Sequence, residues 1–155
     1  VRLSLTSGSD EETLRLGESL GAALRGGDVL FAQGPLGAGK TCLIRGICAG
    51  LGFRGRVRSP SFAVACRYEC RLTVYHVDLY RIPEDSPELE DLSRQEYFSD
   101  DVVTLIEWGE KLRPWGVEPS LVVNIEPGDG DKRHMQVTVY DSALAARVKH
   151  AFDGI

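Results

Sequence analysis

Apolar runs of strand length and stretches with a helical period follow one another along the chain. Residues 3–6 open as a short strand. Ser9-Asp10-Glu11-Glu12 then reads as a capping box, with Ser9 at the N-cap and Glu12 three positions on. The helix it starts turns Leu14, Leu16, Leu20 and Leu24 toward a core. Gly26-Gly27 introduces Asp28-Val29-Leu30-Phe31-Ala32-Gln33, an apolar run of buried-strand length. From Thr41, apolar residues recur at helical spacing (Leu43, Ile44, Ile47, Leu51) until Gly52 stops them. Residues 62–69 and 72–79 read as a β-hairpin closed around Cys70-Arg71. Short helical segments follow at 87–92 and 94–98, within an acidic stretch. Residues 102–107 form an apolar strand and 111–119 a loop. Strands at 121–126 and 134–140 flank the turn Pro127-Gly128-Asp129-Gly130-Asp131, and a helix at 142–152 closes the chain. Several strands around few helices predict an α/β three-layer fold with a mixed parallel and antiparallel central sheet.

Between the second strand and the second helix lies Gly34-Pro35-Leu36-Gly37-Ala38-Gly39-Lys40-Thr41, which matches GxxxxGK[ST], the phosphate-binding loop. The chemistry suits the residue types. Leu36, Gly37, Ala38 and Gly39 supply a backbone that wraps an anion with its N–H groups pointing inward. Lys40 brings a positive charge for the β- and γ-phosphates, and Thr41 a hydroxyl for Mg²⁺. Strand, glycine loop and helix in that order set a helix N-terminus under the phosphates.

Composition narrows the rest. With 155 residues, 43% of them hydrophobic, the chain is expected to be one domain with an ordinary core. A net charge of −5 argues against nucleic-acid binding by bulk electrostatics. No apolar run reaches membrane-spanning length, and the first residues carry no secretory signal. Cys42, Cys48, Cys66 and Cys70 lack CxxC spacing, and Cys66 and Cys70 fall in one expected strand. Reduced thiols in a cytoplasmic protein are the expectation.

A phosphate loop needs an acid for its metal. Val102-Val103-Thr104-Leu105-Ile106-Glu107 carries one to the end of an apolar strand, where such sheets bind ligands. Glu107 is the candidate acid, holding Mg²⁺ directly or through water. In Tyr75-His76-Val77-Asp78-Leu79-Tyr80-Arg81, alternation puts His76, Asp78 and Tyr80 on one face. Asp78 either supports the metal and the attacking water or pairs with an arginine on a solvated face. His76 reads as a hydrogen-bonded structural residue, and Trp108 as a neighbour of a nucleotide or an ordinary core residue. Arg54, Arg56 and Arg58 precede Ser59-Pro60-Ser61-Phe62, a loop placed either to sense a γ-phosphate or simply to be solvated.

Taken in order, these pieces resemble the TsaE family, also called YjeE-like ATPases. The resemblance runs from about Ser9 to about Tyr140. It rests on Thr13-Leu14-Arg15-Leu16-Gly17, the glycine loop, Ser59-Pro60-Ser61-Phe62, Tyr75-His76-Val77-Asp78-Leu79-Tyr80-Arg81 and Ile106-Glu107-Trp108. It implies a bacterial-type role in making N6-threonylcarbamoyladenosine (t6A) at position 37 of tRNAs that read ANN codons. It also implies ATP and Mg²⁺ as cofactors, TsaD and TsaB as partners, and tRNA reached through those partners. Carried onto this chain, Lys40, Asp78 and Glu107 are the catalytic residues, and Thr41 and Glu107 hold Mg²⁺. Ser61 lies in the switch-like loop, Trp108 beside the nucleotide, and Lys132-Arg133 near the adenine. The pattern departs at Cys42, where the family has a second threonine; a thiol is a poor phosphate donor, though the Cys42 backbone N–H remains. It departs also at Ser61, where threonine is usual, and at Pro35, where aspartate is.

Other classes use the same loop. A small-molecule phosphotransferase needs an acceptor pocket and lid arginines, and Arg81 and Arg94 are scattered in an acidic segment. A GTPase needs an Asn-Lys-x-Asp motif, which does not follow. A nonhydrolytic nucleotide-bound adaptor looks the same in sequence.

Overall fold

The computed structural model describes residues 1–57, 64–94 and 96–153. Seven strands are described: β1 (Arg2–Ser7), β2 (Val29–Gln33), β3 (Ala65–Glu69), β4 (Thr73–Asp78), β5 (Val102–Glu107), β6 (Leu121–Pro127) and β7 (Arg133–Val139). Four α-helices accompany them: α1 (Asp10–Ala23), α2 (Lys40–Gly50), α3 (Pro87–Ser93) and α4 (Ser142–Phe152). The strands form one sheet in the order β1-β7-β6-β2-β5-β4-β3. β2 is parallel to both β5 and β6, and β4 is parallel to β5. The pairs β1–β7, β6–β7 and β3–β4 are antiparallel, so the sheet is mixed as expected.

Alternation along the central strands divides the core in two. Leu30 and Ala32 of β2 and Val103 and Leu105 of β5 face a layer made by α1, α2 and α4, including Leu20, Ile47 and Val148. Val29 and Phe31 of β2 and Val102 and Ile106 of β5 face the other layer, with Leu89 of α3 and Leu112. That is why these strands read as unbroken apolar runs: both faces are covered. Each such Leu, Ile or Phe contributes roughly 1.5–3 kcal/mol on full burial.

The α1–α2 contact is made by glycines. Gly17 and Gly21 on α1 meet Gly46 and Gly50 on α2, each pair four residues apart. A Cβ on Gly17 would stand 2.6 Å from the Leu43 carbonyl oxygen. One on Gly21 would meet the Ile47 carbonyl, one on Gly46 the Leu14 carbonyl and one on Gly50 the Glu18 carbonyl. Backbone therefore rests on backbone, and α1 braces the helix that begins at Lys40.

The capping box forms at α1. Ser9 Oγ accepts from the Glu12 N–H at 3.2 Å, and the Glu12 carboxylate accepts from the Gly8 N–H at 2.7 Å, one residue earlier than expected. Leu16, Leu20 and Leu24 are buried, whereas Leu14 is only half-buried, on the flank of the helix. The expected loop at 111–119 begins instead as a 3₁₀ helix, Gly109–Trp115, because Leu112 has a core site to fill. Cys70 is not in a strand: β3 ends at Glu69, and Cys70 sits in the hairpin turn with its N–H bonded to the Leu72 carbonyl. No described helix is long and apolar enough to cross a membrane.

Candidate functional site

The site is built where β2 ends and α2 begins. Gly34 leaves β2 at φ 148°, pressed so closely on β6 that a Cβ would strike the Ile125 carbonyl. Gly37 at φ 78° has nothing within 4 Å of its Cβ position, and Gly39 at φ 103° is the N-cap of α2. Side chains are disfavoured at those angles, so the loop presents bare backbone at these positions. No described side chain caps α2, so its first N–H groups remain available to an anion.

Lys40 is 5% exposed. Its Nζ donates to the Gly34 carbonyl at 2.6 Å and lies 4.4 Å from the centre of the Trp108 ring. A lysine buried to this extent needs such partners. A cleft of about 300 Å³ opens beside it, lined by Leu36, Gly37, Gly39, Lys40, Thr41, Asp78 and Glu107. The cleft thus gathers the loop and both candidate acids.

The acids arrive by strand register. Glu107 ends β5 opposite Ala32 of β2 on one side and Asp78 of β4 on the other. Glu107 is 5% exposed, and its Oε2 accepts from His76 Nε2 at 2.7 Å. His76 is fully buried, and its Nδ1 has no hydrogen-bond partner among the described residues. A bare acceptor at Nδ1 is cheaper to bury than an unmet N–H, so the neutral Nε2–H tautomer fits this pocket. Asp78 is half-buried, and its Oδ1 accepts from the Tyr80 N–H at 3.0 Å.

The turn after each acid is also pinned. Gly109 packs on the Phe31 ring, where a Cβ would stand 2.5 Å from Cδ1, and Trp108 takes φ 61° just before it. Trp108 is the one non-glycine residue with positive φ among those described, a cost that a tightly held turn can meet. Its ring lies 5.4 Å from the Tyr80 ring. Lys111 Nζ donates to the carbonyls of Leu79 at 2.8 Å, Tyr80 at 3.2 Å and Ile82 at 2.8 Å. One ammonium thereby ties the segment after Asp78 to the segment after Glu107.

The remaining expected residues lie elsewhere or outside the description. Ser61 and Arg58 fall within 58–63, outside the described residues. Cys42 Sγ donates to the Asp10 carbonyl at 3.4 Å, away from the cleft. Burial, and then the Asp10 charge, push its thiol pKa up, opposed by Arg45 and Arg133. Lys132 is exposed in the β6–β7 turn, whereas its neighbour Arg133 reaches the loop. A Cβ on Gly39 would stand 3.2 Å from Arg133 Nε. His76, Lys111 and Arg133 are the residues that sequence alone under-read, because each acts across elements distant in the chain.

Nucleotide phosphates and Mg²⁺ fit these groups. The loop offers N–H donors and a lysine; Thr41, Asp78 and Glu107 offer only oxygen, the donor type that Mg²⁺ takes. Among the described residues no three His, Cys, Asp or Glu side chains could hold a metal together.

The sequence model of the family described as threonylcarbamoyl adenosine biosynthesis protein TsaE matches residues 7–135. The chain is 41% identical over 131 residues to the tRNA threonylcarbamoyladenosine biosynthesis protein TsaE of Streptomyces coelicolor, covering 79% of this chain and 87% of that protein. It is 40% identical over 106 residues to the protein of the same name from Treponema pallidum, covering 68% and 78%. The crystal structure of Bacillus subtilis YdiB superposes with a TM-score of 0.79 at 28% identity, over 97% of this chain and 94% of that one. The chain belongs to the TsaE family.

Proposed function

We propose that this protein is the Mg²⁺-dependent ATPase of the machinery that forms t6A at position 37 of ANN-decoding tRNAs. It acts in the cytoplasm as a single domain, with TsaB and TsaD as partners and tRNA reached through them. The names of its relatives support the pathway. The observation that carries the chemistry is the pairing of Asp78 with Glu107 on adjacent parallel strands, beside the glycine loop and Lys40.

In this reading the backbone of residues 36–42 and the Lys40 ammonium hold the phosphate chain. Thr41 and Glu107 would hold Mg²⁺, which when bound neutralises charge on the phosphates. Asp78 orients the attacking water, and its bond to the Tyr80 N–H fixes the carboxylate for that task. The Trp108 ring keeps the Lys40 ammonium close to the loop. Ser61, in the switch-like segment, senses the γ-phosphate. Hydrolysis by the protein alone is expected to be slow, as the family resemblance implies.

Calorimetric titration with ATP and with GTP, each with Mg²⁺, tests the reading. ATP is expected to bind more tightly, since no guanine-reading motif follows the loop. Lys40→Ala is expected to cost about 2–4 kcal/mol, roughly thirty- to a thousandfold in Kd. A loss of about tenfold or less would show that Lys40 does not grip phosphate.

A further inference from the structure

Asp78 ends β4, and the chain turns at once. Leu79 and Ile82 are buried, while Tyr80 and Arg81 are exposed. The Leu79 N–H donates to the Glu107 carbonyl at 3.1 Å, and the Ile82 N–H to the Leu79 carbonyl at 3.0 Å. The turn brings the carbonyls of Leu79, Tyr80 and Ile82 together, and the Lys111 ammonium donates to all three. An ammonium has three N–H donors, so this contact engages the whole group. Carbonyl oxygens that converge repel one another, and a cation among them removes that cost. Lys111 is half-buried and is not one of the residues lining the cleft that Asp78 and Glu107 share.

One peptide unit joins this lysine to the acid. The Leu79 carbonyl and the Tyr80 N–H belong to the same planar trans group, so they point in opposite directions. Lys111 Nζ holds the carbonyl end at 2.8 Å, and Asp78 Oδ1 accepts from the N–H end at 3.0 Å. Rotating the plane away from one partner moves it away from the other. A positive charge on the carbonyl oxygen also polarises the N–H and strengthens its bond to the carboxylate.

We infer that Lys111 is a positioning residue for Asp78: through the Leu79–Tyr80 peptide it sets the direction in which the carboxylate meets the attacking water. The inference deepens the proposed function and rests on its assignment of Asp78.

The test combines phosphate release at saturating ATP and Mg²⁺, calorimetric Kd for ATP, and the Tyr80 amide resonance of ¹⁵N-labelled protein. Lys111→Met keeps the length of the side chain and loses its charge. It is expected to lower kcat about ten- to a hundredfold. The Kd for ATP is expected to stay within about twofold of wild type. The Tyr80 amide proton is expected to move upfield as its hydrogen bond weakens. Lys111→Gln, which keeps N–H donors without the charge, guards against misfolding and is expected to behave like Lys111→Met with a Tm close to wild type. Lys111→Arg keeps the charge, but a planar fork cannot aim three donors at one point, so it is expected to recover only part of kcat. Adding Lys111→Met to Asp78→Asn is expected to cost little beyond Asp78→Asn alone, since both act on one step. Wild-type kcat in Lys111→Met or Lys111→Gln overturns the inference. So does an ATP Kd that weakens as much as kcat falls. That result would make Lys111 act on Lys40 through Trp108, whose ring centre lies 5.9 Å from Lys111 Nζ. A full second loss in the double variant overturns it too, and makes Lys111 a general support of the fold. If Asp78→Asn lowers kcat and Lys111→Met does not, the Lys111 inference falls alone. If Asp78→Asn leaves kcat unchanged, the assignment of Asp78 falls and the inference with it.

Discussion

At the scale of single residues, the site depends on which oxygen of each acid is already engaged. His76 donates to Glu107 Oε2, so the remaining oxygen is the one free to face metal or water. A carboxylate held in this way usually loses ten- to a hundredfold in metal affinity or turnover, on the order of 1–3 kcal/mol, when its partner is removed. His76→Leu is therefore expected to weaken Mn²⁺ binding in the presence of ADP, followed by electron paramagnetic resonance. His76→Gln, whose amide nitrogen reaches about as far as Nε2, is expected to retain most of it. Equal Mn²⁺ affinity in wild type and His76→Leu would reduce His76 to a core residue. Asp78→Asn separates charge from shape. It keeps an acceptor for the Tyr80 N–H but loses the charge, so ATP binding is expected to survive while turnover falls about a hundredfold. Unchanged phosphate release would make Asp78 a structural acid. The loop and both acids were legible in the sequence, because each sits in a local pattern: glycines at fixed spacing, and carboxylates at strand ends. The partner of His76 was not, because 31 residues separate it from Glu107 and only the parallel β4–β5 pairing joins them.

At the scale of elements, the phosphate helix is held in place by α1. Gly17, Gly21, Gly46 and Gly50 bring the two backbones together, and none of them faces the cleft. Gly21→Ala and Gly46→Ala each force a methyl group into an opposing carbonyl, a form of overpacking that costs roughly 1–3 kcal/mol and occasionally more. Urea unfolding is expected to show that loss at an unchanged m-value. Because α2 begins at Lys40, the shift should also weaken ADP binding. Wild-type stability in both variants would mean that the helices can part without penalty. Gly37→Ala is the useful contrast, since its Cβ position is open and only its φ of 78° is strained. The strand 102–107 and the helix 142–152 were read to the residue, as long elements with one consistent period. Residues 111–119 were read as a loop although the 3₁₀ helix 109–115 runs into them, because Gly109 and Pro114 break the helical pattern and only the core site of Leu112 explains the segment. The glycines on α1 and α2 look unremarkable one helix at a time. Their spacing acquires meaning when the two helices are set face to face.

At the scale of the whole molecule, charge is distributed against the average. The chain carries a net −5, yet Arg45, Arg54 and Arg56 line one cleft of about 620 Å³ with Gly55 and Val57. The floor is firm: Gly55 lies on the Phe53 ring, and that ring packs on Tyr68 with centroids 4.9 Å apart. The cleft takes Arg45 from midway along α2, the helix that begins at the glycine loop. The segment 84–101, on the opposite layer, is acidic, with Glu88 and Asp91 beside a second cleft. Two surfaces of unlike charge suit a protein that, in the proposed reading, reports its bound state to other proteins. The prediction is that affinity for TsaB–TsaD depends on the nucleotide, highest with a nonhydrolysable ATP analogue and lower with ADP or none. Linkage then requires TsaB–TsaD to tighten ATP binding by the same factor. A coupling of about 1–3 kcal/mol, five- to 150-fold, is the usual range for such a switch. Arg54→Glu with Arg56→Glu is expected to weaken the complex and to flatten or reverse its dependence on salt, while leaving ATP affinity of the isolated protein unchanged. Surface plasmon resonance in the three nucleotide states decides the matter. Identical affinities in all three would remove the switch and leave a constitutive subunit, whatever the cleft's charge.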